Sequence, residues 1–338
     1  MSLIFAIETS CDETSAAVYD TEKGVLSNTT FSQIDYHKYF GGVIPEIASR
    51  SQLEKINPIV ISALEKANVS INDIDAVAVT KKPGLPGSLL VGLCFAKSLA
   101  WATGKKLIGI NHLEGHAFSA LLENDIPFPY LCLTASGGHT SIYLIHDLGN
   151  YETIAQTLDD ASGEAFDKIA KMLNLPYPGG PIIEKLAKEV NFQDFFHYPR
   201  GKKKSLDFSF SGLKTAVLYD LVKKNAYDMQ KKRFLKDDNL HFKKQVASSL
   251  LVCISDIFKQ KLELAHKKYP EVKAISMVGG VACNKYIKKQ LNEFCLKRSL
   301  PFFVPSPKYC TDNAAMIGFV GSYKFKKGEF SDLDLDIF

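Results

Sequence analysis

One order of elements occurs twice in this chain of 338 residues, and that repetition narrows the folds open to it. Leu3 to Ile7 is a short apolar run suited to a buried strand, and Ala16 to Tyr19 and Gly24 to Phe31 read as two more strands joined by a Glu-Lys-Gly turn. Pro45 opens a helical pattern that runs through Ile47, Leu53, Ile56 and Ile59 to Ala67. A strand (Ala76 to Val79), a helix (Ser88 to Trp101) and a strand (Leu107 to Ile110) follow. The second half repeats the order. Strands are predicted at Tyr130 to Thr134, Ser141 to His146 and Tyr151 to Thr157, then helices at Glu164 to Leu173, Pro181 to Val190, Ser211 to Lys224 and Asn239 to Lys268. Ala274 to Val278 reads as a strand, Asn284 to Lys297 as a helix, Pro301 to Val304 as a strand, and Asp312 to Phe325 as a closing helix. The two halves share no residue-level repeat, so the duplication is one of element order. Two such α/β units face to face make a central cleft. The expected division is a first lobe over 1–115, completed by 313–338, and a second lobe with helical insertions over 116–312.

Composition agrees with two ordinary domains, since 46% of residues are hydrophobic and 23% charged, with mean hydropathy near zero. Seven cysteines without a Cys-x-x-Cys pair, and an N-terminus unlike a signal peptide, favour reduced thiols and a cytoplasmic location. Gly87 to Ala102 is apolar but too short to span a bilayer and carries Lys97, so it reads as a buried helix and no membrane partner is expected. Charge is uneven: residues 200–244 hold 13 Lys and Arg against 5 Asp, a net +8, so the rest of the chain is near −4 by subtraction from the total of +4. That excess is either a solvated face or a surface for a polyanion.

Two histidines in Asn111-His112-Leu113-Glu114-Gly115-His116 lie four apart, which on a helix puts both imidazoles on one face, within reach of a single metal ion. They can equally pack or cap. Glu114 falls on the far side of the helix, unlike the general base of a His-Glu-x-x-His zinc protease. Asp312, at the mouth of the last helix, can be its N-cap or can close a metal site begun by the histidines. Ala135 to Thr140 contains a Ser-Gly-Gly turn whose glycines permit positive φ and let backbone N–H groups converge on an anion, although such a turn also serves as a plain hairpin. Asp167 has a spacing that suits a ligand hydroxyl, and Gly180 would let a ligand approach the backbone. Gly279-Gly280 precede Asn284, which can cap the next helix, bind a ligand, or both. The loop Asp207 to Thr215 is expected to cap its helix through Ser211.

The element order resembles the actin-like, sugar-kinase and heat-shock ATPase superfamily, two ribonuclease-H-like lobes that hold nucleotide phosphates on their first hairpins. Within it, eight motifs in one order carry a closer resemblance: Glu8 to Ser15, His112 with His116, Ser136 to Thr140, Gly163 to Lys168, Tyr177 to Pro181, Asp207 to Thr215, Gly279 to Asn284, and Cys310 to Asn313. Together they are similar to the TsaD family of tRNA adenosine threonylcarbamoyltransferases, once called O-sialoglycoprotein endopeptidases, over residues 3 to 325.

The resemblance implies transfer of the threonylcarbamoyl group of threonylcarbamoyl-AMP to the exocyclic amine of the adenosine 3′ of the anticodon, in tRNAs that read codons starting with A. It implies His112, His116 and Asp312 as ligands of one divalent ion, iron(II) by family habit, though zinc or manganese suit the same donors. It further implies that Thr134, Ala135, Ser136, Gly137, Gly138, Asp167, Gly180, Glu184 and Asn284 line the substrate, Glu184 standing where many members have aspartate. A TsaB-like paralogue and a TsaE-like ATPase are the expected partners. The donor is an activated mixed anhydride and needs no nucleophilic Ser or Cys. Asp12 or Glu13 is the candidate base for the adenosine amine, and both can instead serve only to shape the hairpin or to contact a partner. The chain departs from the family at Lys81-Lys82 before Pro83-Gly84, in its short acidic tail from Ser331 to Phe338, and in the lysine-rich stretch 225–240, expected as an enlarged loop or helix extension. An ATP-dependent kinase of the same superfamily, a non-catalytic TsaB-like scaffold and a metalloendopeptidase are the competing readings.

Overall fold

The computed structural model describes residues 1–202 and 204–337. In chain order the first elements are β1 (Leu3–Glu8), β2 (Glu13–Asp20), β3 (Gly24–Ser32), α1 (Ile34–His37), α2 (Pro45–Ala67), β4 (Ala76–Lys82), α3 (Pro86–Thr103), β5 (Lys106–Asn111) and α4 (His112–Phe118). There follow β6 (Tyr130–Ala135), β7 (Thr140–Asp147), β8 (Asn150–Gln156), α5 (Ser162–Met172), α6 (Gly179–Lys188) and α7 (Ser211–Lys223). The remainder is a hairpin of β9 (Tyr227–Asp228) and β10 (Arg233–Phe234), then α8 (Leu240–Lys268), β11 (Ala274–Val278), α9 (Lys285–Leu296), β12 (Phe302–Phe303), α10 (Pro307–Cys310) and α11 (Ala314–Lys327).

The strands form two sheets of the same plan, in the orders β3-β2-β1-β4-β5 and β8-β7-β6-β11-β12. In each, the first three strands are an antiparallel meander and the later two lie parallel to the first. The meander needs only tight turns, whereas each parallel step needs a long crossover, which α2 and α3 supply in the first sheet. Contacts divide the chain into one unit of Met1–Asp125 with the segment from Pro305 onward, and another of Ile126–Val304. The sequence division expected was at 115/116 and 312/313. Residues 116–122 stay with the first unit because α4 and the turn after it pack on α11.

The first unit buries one sheet face under α2 and α3, with Phe5, Ile7, Val18, Val77 and Val79 meeting Ile56, Val60, Leu89 and Leu93. α2 begins at Pro45, as predicted, and ends at Asn68 in left-handed conformation. α11 covers the other face, where Gly318 and Gly321 share one side of the helix. A Cβ on Gly321 would lie 2.7 Å from the Ala78 Cβ, and one on Gly318 would lie 2.9 Å from the Tyr19 Cβ. This close approach carries the end of the chain back to the first sheet. In the second unit the long α8 is buried along most of its length, and Phe208 and Phe210 pack on its Phe258.

Three local expectations are corrected. The lysine-rich stretch 225–240 is neither a plain loop nor a helix extension but the small β9–β10 hairpin, because Phe234 turns inward to stack on Phe242. Ser211 does not cap α7. Asp159, from a distant loop, accepts the N–H groups of Phe210 and Ser211 and the hydroxyls of Ser209 and Ser211 at 2.6–3.1 Å. The helix expected from Glu164 starts two residues earlier, at Ser162, which puts Asp167 in the second turn of α5. Among the described residues no helix is long and apolar enough to cross a membrane, and all seven cysteines are free.

Candidate functional site

In the first unit, β5 runs directly into α4, and the Asn111 side chain caps the junction by accepting from the N–H groups of Leu113 and Glu114. The helix thus starts at His112, and His116 stands one turn on, the two rings perpendicular with centroids 4.7 Å apart. Asp312 arrives from just before α11. Its Oδ1 lies 2.9 Å from His116 Nε2 and 3.6 Å from His112 Nε2. Asp312 is not the N-cap of α11; Asn313 is, accepting from the Met316 N–H at 3.1 Å. That division of labour leaves the Asp312 carboxylate for the imidazoles.

The three side chains offer ligand atoms all within 4.8 Å of one another. Donors about 2.0–2.2 Å from a shared ion are spaced on this scale. The electrostatics also fit a cation. Burial lowers the basicity of His112, yet the Glu8 and Asp312 carboxylates and the hydrogen bond that Glu8 accepts outweigh it and push its pKa up to about 9. Burial, then the carboxylates of Asp12 and Asp312, raise Glu13 well above the ordinary carboxylate range. A crowd of acids that favours protonated neighbours is one that a metal ion relieves. Burial pushes the Cys11 thiol up, so it is no thiolate nucleophile or ligand.

The acidic turn is held from below. Gln52 of α2 donates to the carbonyls of Cys11 and Glu13 at 2.9 and 3.1 Å, and Ser88 donates to Cys11 at 3.1 Å. Glu13 Oε1 accepts from the Ser32 hydroxyl. Glu114 faces away from the histidines, buried 3.1 Å from Lys324 of α11. The glutamate a zinc protease needs beside its metal is therefore absent from this site.

In the second unit the remaining candidates gather beyond the carboxyl ends of β6 and β11, where open α/β sheets hold ligands. Thr134 and Ala135 are fully buried in β6, so their side chains shape the floor. Within the turn, the Ser136 N–H donates to the His139 carbonyl at 2.8 Å. Neither Gly137 nor Gly138 takes the positive φ that a glycine permits. Their glycine character counts instead as space, since a Cβ on either would meet nothing within 4 Å, and the same holds for Gly180 and Gly280. The positive φ belongs to Gly279, at +90°, where a Cβ would sit 2.4 Å from the Ala135 carbonyl oxygen.

α5 begins against the turn: the Gly163 N–H donates to Ser136 O at 3.1 Å, and the Ser162 N–H to Thr140 Oγ1 at 2.9 Å. Asp167 accepts from the Gly179 N–H at 2.7 Å, joining α5 to the start of α6. Burial raises Asp167 to about 6, the Gly179 bond opposing it and Glu164 adding to it. Glu184 accepts from the Tyr286 N–H at 3.0 Å, and Asn284 caps α9 through the Ile287 N–H at 3.0 Å.

Sequence reasoning missed Glu8 and Gln52. Glu8 offered a signal, a lone acid closing the apolar run Leu3 to Ile7. Gln52 offered none, being one polar residue among many on α2.

The fold has wide company. HypF in its phosphate- and nucleotide-bound form superposes with TM-score 0.64 at 13% identity, over 98% of this chain and 47% of that one. Component A of the Acidaminococcus fermentans (R)-2-hydroxyglutaryl-CoA dehydratase matches at 0.56 and 12% identity, over 97% and 100%. Both likenesses speak for the fold alone. Sequence relatives say more. The tRNA N6-adenosine threonylcarbamoyltransferase of Syntrophotalea carbinolica is 45% identical over 99% of this chain and 95% of its own. That of Thermodesulfovibrio yellowstonii is 46% identical over 99% and 98%. The model of the family TsaD, tRNA N6-adenosine threonylcarbamoyltransferase, matches residues 24–319. With the triad assembled, the glycine turn open and the similarity running end to end, this chain belongs to the TsaD family.

Proposed function

We propose that this chain is the transferase its family name describes. It moves the threonylcarbamoyl group of threonylcarbamoyl-AMP to the exocyclic amine of the adenosine 3′ of the anticodon in tRNAs reading codons that start with A, and releases AMP. The observation that carries this reading is the convergence of His112, His116 and Asp312, far apart in sequence, on one point. A superfamily kinase or an inactive scaffold has no use for that set.

The amine nitrogen bonds to the carbamoyl carbon, the bond from that carbon to the phosphate oxygen breaks, and AMP takes the electron pair. Among the described residues nothing accepts from the Gly137 and Gly138 N–H groups, so both remain for the donor phosphate, helped by the positive end of α5. Asp167, Gly180, Glu184 and Asn284 line the seat, with Thr134, Ala135 and Ser136 as its floor. Glu13, which burial and the neighbouring Asp12 raise above the ordinary carboxylate range, takes the proton of the amine. His112, His116 and Asp312 hold one divalent ion; two imidazoles and a carboxylate on one face suit iron(II), and also zinc or manganese. When bound, the ion supplies Lewis acidity and a fixed point for the donor.

tRNA requires a cationic surface, and the β9–β10 hairpin offers one. Lys231, Lys232 and Arg233 are exposed and form no salt bridge among the described residues, Asp228 being the one acid close to them, whereas Lys214, Lys224, Lys243 and Lys244 of the same basic region are paired. Of the run Arg200 to Lys204, Arg200 is paired with Asp194 and Asp256, Lys202 and Lys204 are exposed, and Lys203 lies outside the described residues. A TsaB-like paralogue finds support in the outer face of α2 and α3, where Leu53, Ile61, Leu90 and Trp101 are exposed. A TsaE-like ATPase rests on family resemblance alone, and the cytoplasm is where such a substrate is met.

The test is transfer of labelled threonine to tRNA by the purified chain, with donor synthase supplied and partners added one at a time. Label is expected in tRNA, and Glu13→Ala is expected to lower the rate by about 10²–10⁴-fold with tRNA binding unchanged. No label under any combination overturns the function. A fully active Glu13→Ala removes Glu13 as the base.

A further inference from the structure

We infer that Glu8 is a positioning residue, whose carboxylate holds the His112 ring in the tautomer and orientation that turn Nε2 toward a bound ion. The inference rests on reading His112, His116 and Asp312 as metal ligands.

Glu8 closes β1 and is fully buried. Because Ile7 pairs with Val79 in the parallel β1–β4 register, the next residues, Glu8 at the end of β1 and Thr80 within β4, stand side by side. Thr80 Oγ1 donates to Glu8 Oε2, and the Ser10 N–H donates to Oε1 at 2.5 Å. These two donors fix the plane of the carboxylate. The same Oε2 lies 3.2 Å from His112 Nδ1, and the Ser10 hydroxyl lies 3.1 Å from that nitrogen.

In a ring that has given up its second proton to a bound ion, the one proton left belongs on Nδ1, the nitrogen 3.2 Å from the Glu8 oxygen that can accept it. The lone pair is then on Nε2, the nitrogen facing Asp312 Oδ1 at 3.6 Å. A carboxylate behind a ligating imidazole orients the ring and makes it a better donor. His116 has no such support, its Nδ1 being buried without a hydrogen-bond partner. The two imidazoles are thus held unequally, and Glu8 sets the stiffer one.

If Glu8 merely satisfies Thr80 and Ser10 inside the fold, replacing it lowers stability and leaves ion affinity alone. The experiment uses the full chain with zinc as the probe. Affinity is measured by competition with a chromogenic chelator, ring protonation by ¹⁵N NMR of the zinc-loaded protein, and stability by thermal melting. In the wild type, His112 is expected to carry its proton on Nδ1 and to ligate through Nε2. Glu8→Gln, of equal shape, is expected to bind zinc about 10–100-fold less tightly than the wild type. Thr80→Val, which frees one side of the carboxylate, is expected to fall between them. A His112 protonated on Nε2 overturns the inference, as does a Glu8→Gln chain of wild-type zinc affinity whatever its melting temperature. Should Glu8→Gln fail to fold, the wild-type ring protonation decides. A wild-type chain that binds no zinc overturns the metal reading itself, a different result from equal binding by both proteins.

Discussion

Glu114 sits between two candidate ligands in sequence, so its replacement separates the transferase reading from the peptidase one. Its carboxylate is buried against Lys324, 3.1 Å away, and the lysine is about one-fifth exposed. Opposite unit charges at about 4 Å attract by about 4 kcal/mol at the effective dielectric of such sites, and desolvation returns much of it. Removing either partner is therefore unequal. Glu114→Gln leaves a lysine that can turn to water and is expected to cost about 1–2 kcal/mol. Lys324→Met strands a carboxylate in the interior and is expected to cost about 3 kcal/mol. The double variant should be more stable than Lys324→Met alone, since it no longer buries a charge. Thermal melting reads these values, each kcal/mol lowering the midpoint by about 2–4 °C in a domain of this class. Both single variants, assayed well below their midpoints, should bind zinc and transfer threonylcarbamoyl as the wild type does. A Glu114→Gln chain that melts normally but loses transfer or zinc binding would refute the reasoning, because it would place Glu114 in the site.

Gly163→Ala puts a Cβ 2.6 Å from Ser136 O and 2.8 Å from Gly137 Cα, and backbone cannot swing aside; a displaced turn should lower kcat by about 10²-fold, with wild-type kinetics counting against an anion seat there. Asp167, raised to about 6 by burial, binds its proton more tightly folded than unfolded, where carboxyls titrate near ~4. Stability should thus fall as pH rises from about 4 to about 6, by at most about 3 kcal/mol, and Asp167→Asn should flatten that slope in melting curves. Activity should move the other way, rising through pH 6 as the ligand-accepting carboxylate forms. Replacing Lys231, Lys232 and Arg233 together with alanine should weaken tRNA binding and reduce the salt slope by about one per lost phosphate contact, leaving kcat at saturating tRNA unchanged.

What the sequence reveals follows the range of the forces involved. Proline at Pro45, Asn284 before its helix, and the apolar run of the first strand act within a few residues, so those elements were legible. The four-residue spacing of His112 and His116 was legible for the same reason, because helix geometry alone puts them on one face. The identity of the α11 cap was not, since Asp312 and Asn313 are both good caps and nothing nearby chooses between them. Asp159 was hidden as the cap of α7 because its partners lie 51 and 52 residues on. The hairpin at 227–234 was hidden because its strands are two residues each and depend on Phe234 finding Phe242.

The sequence by itself therefore determined the repeated α/β order, the paired imidazoles and the family. The family resemblance also named Asp312, but only tertiary structure brought it to the imidazoles and decided which acid stands behind His112. Asp312 meets His116 across 196 residues, and Glu8 meets His112 across 104. Such meetings are set by strand order and by the glycine face that lets α11 settle on the first sheet, and no local pattern of side chains records them.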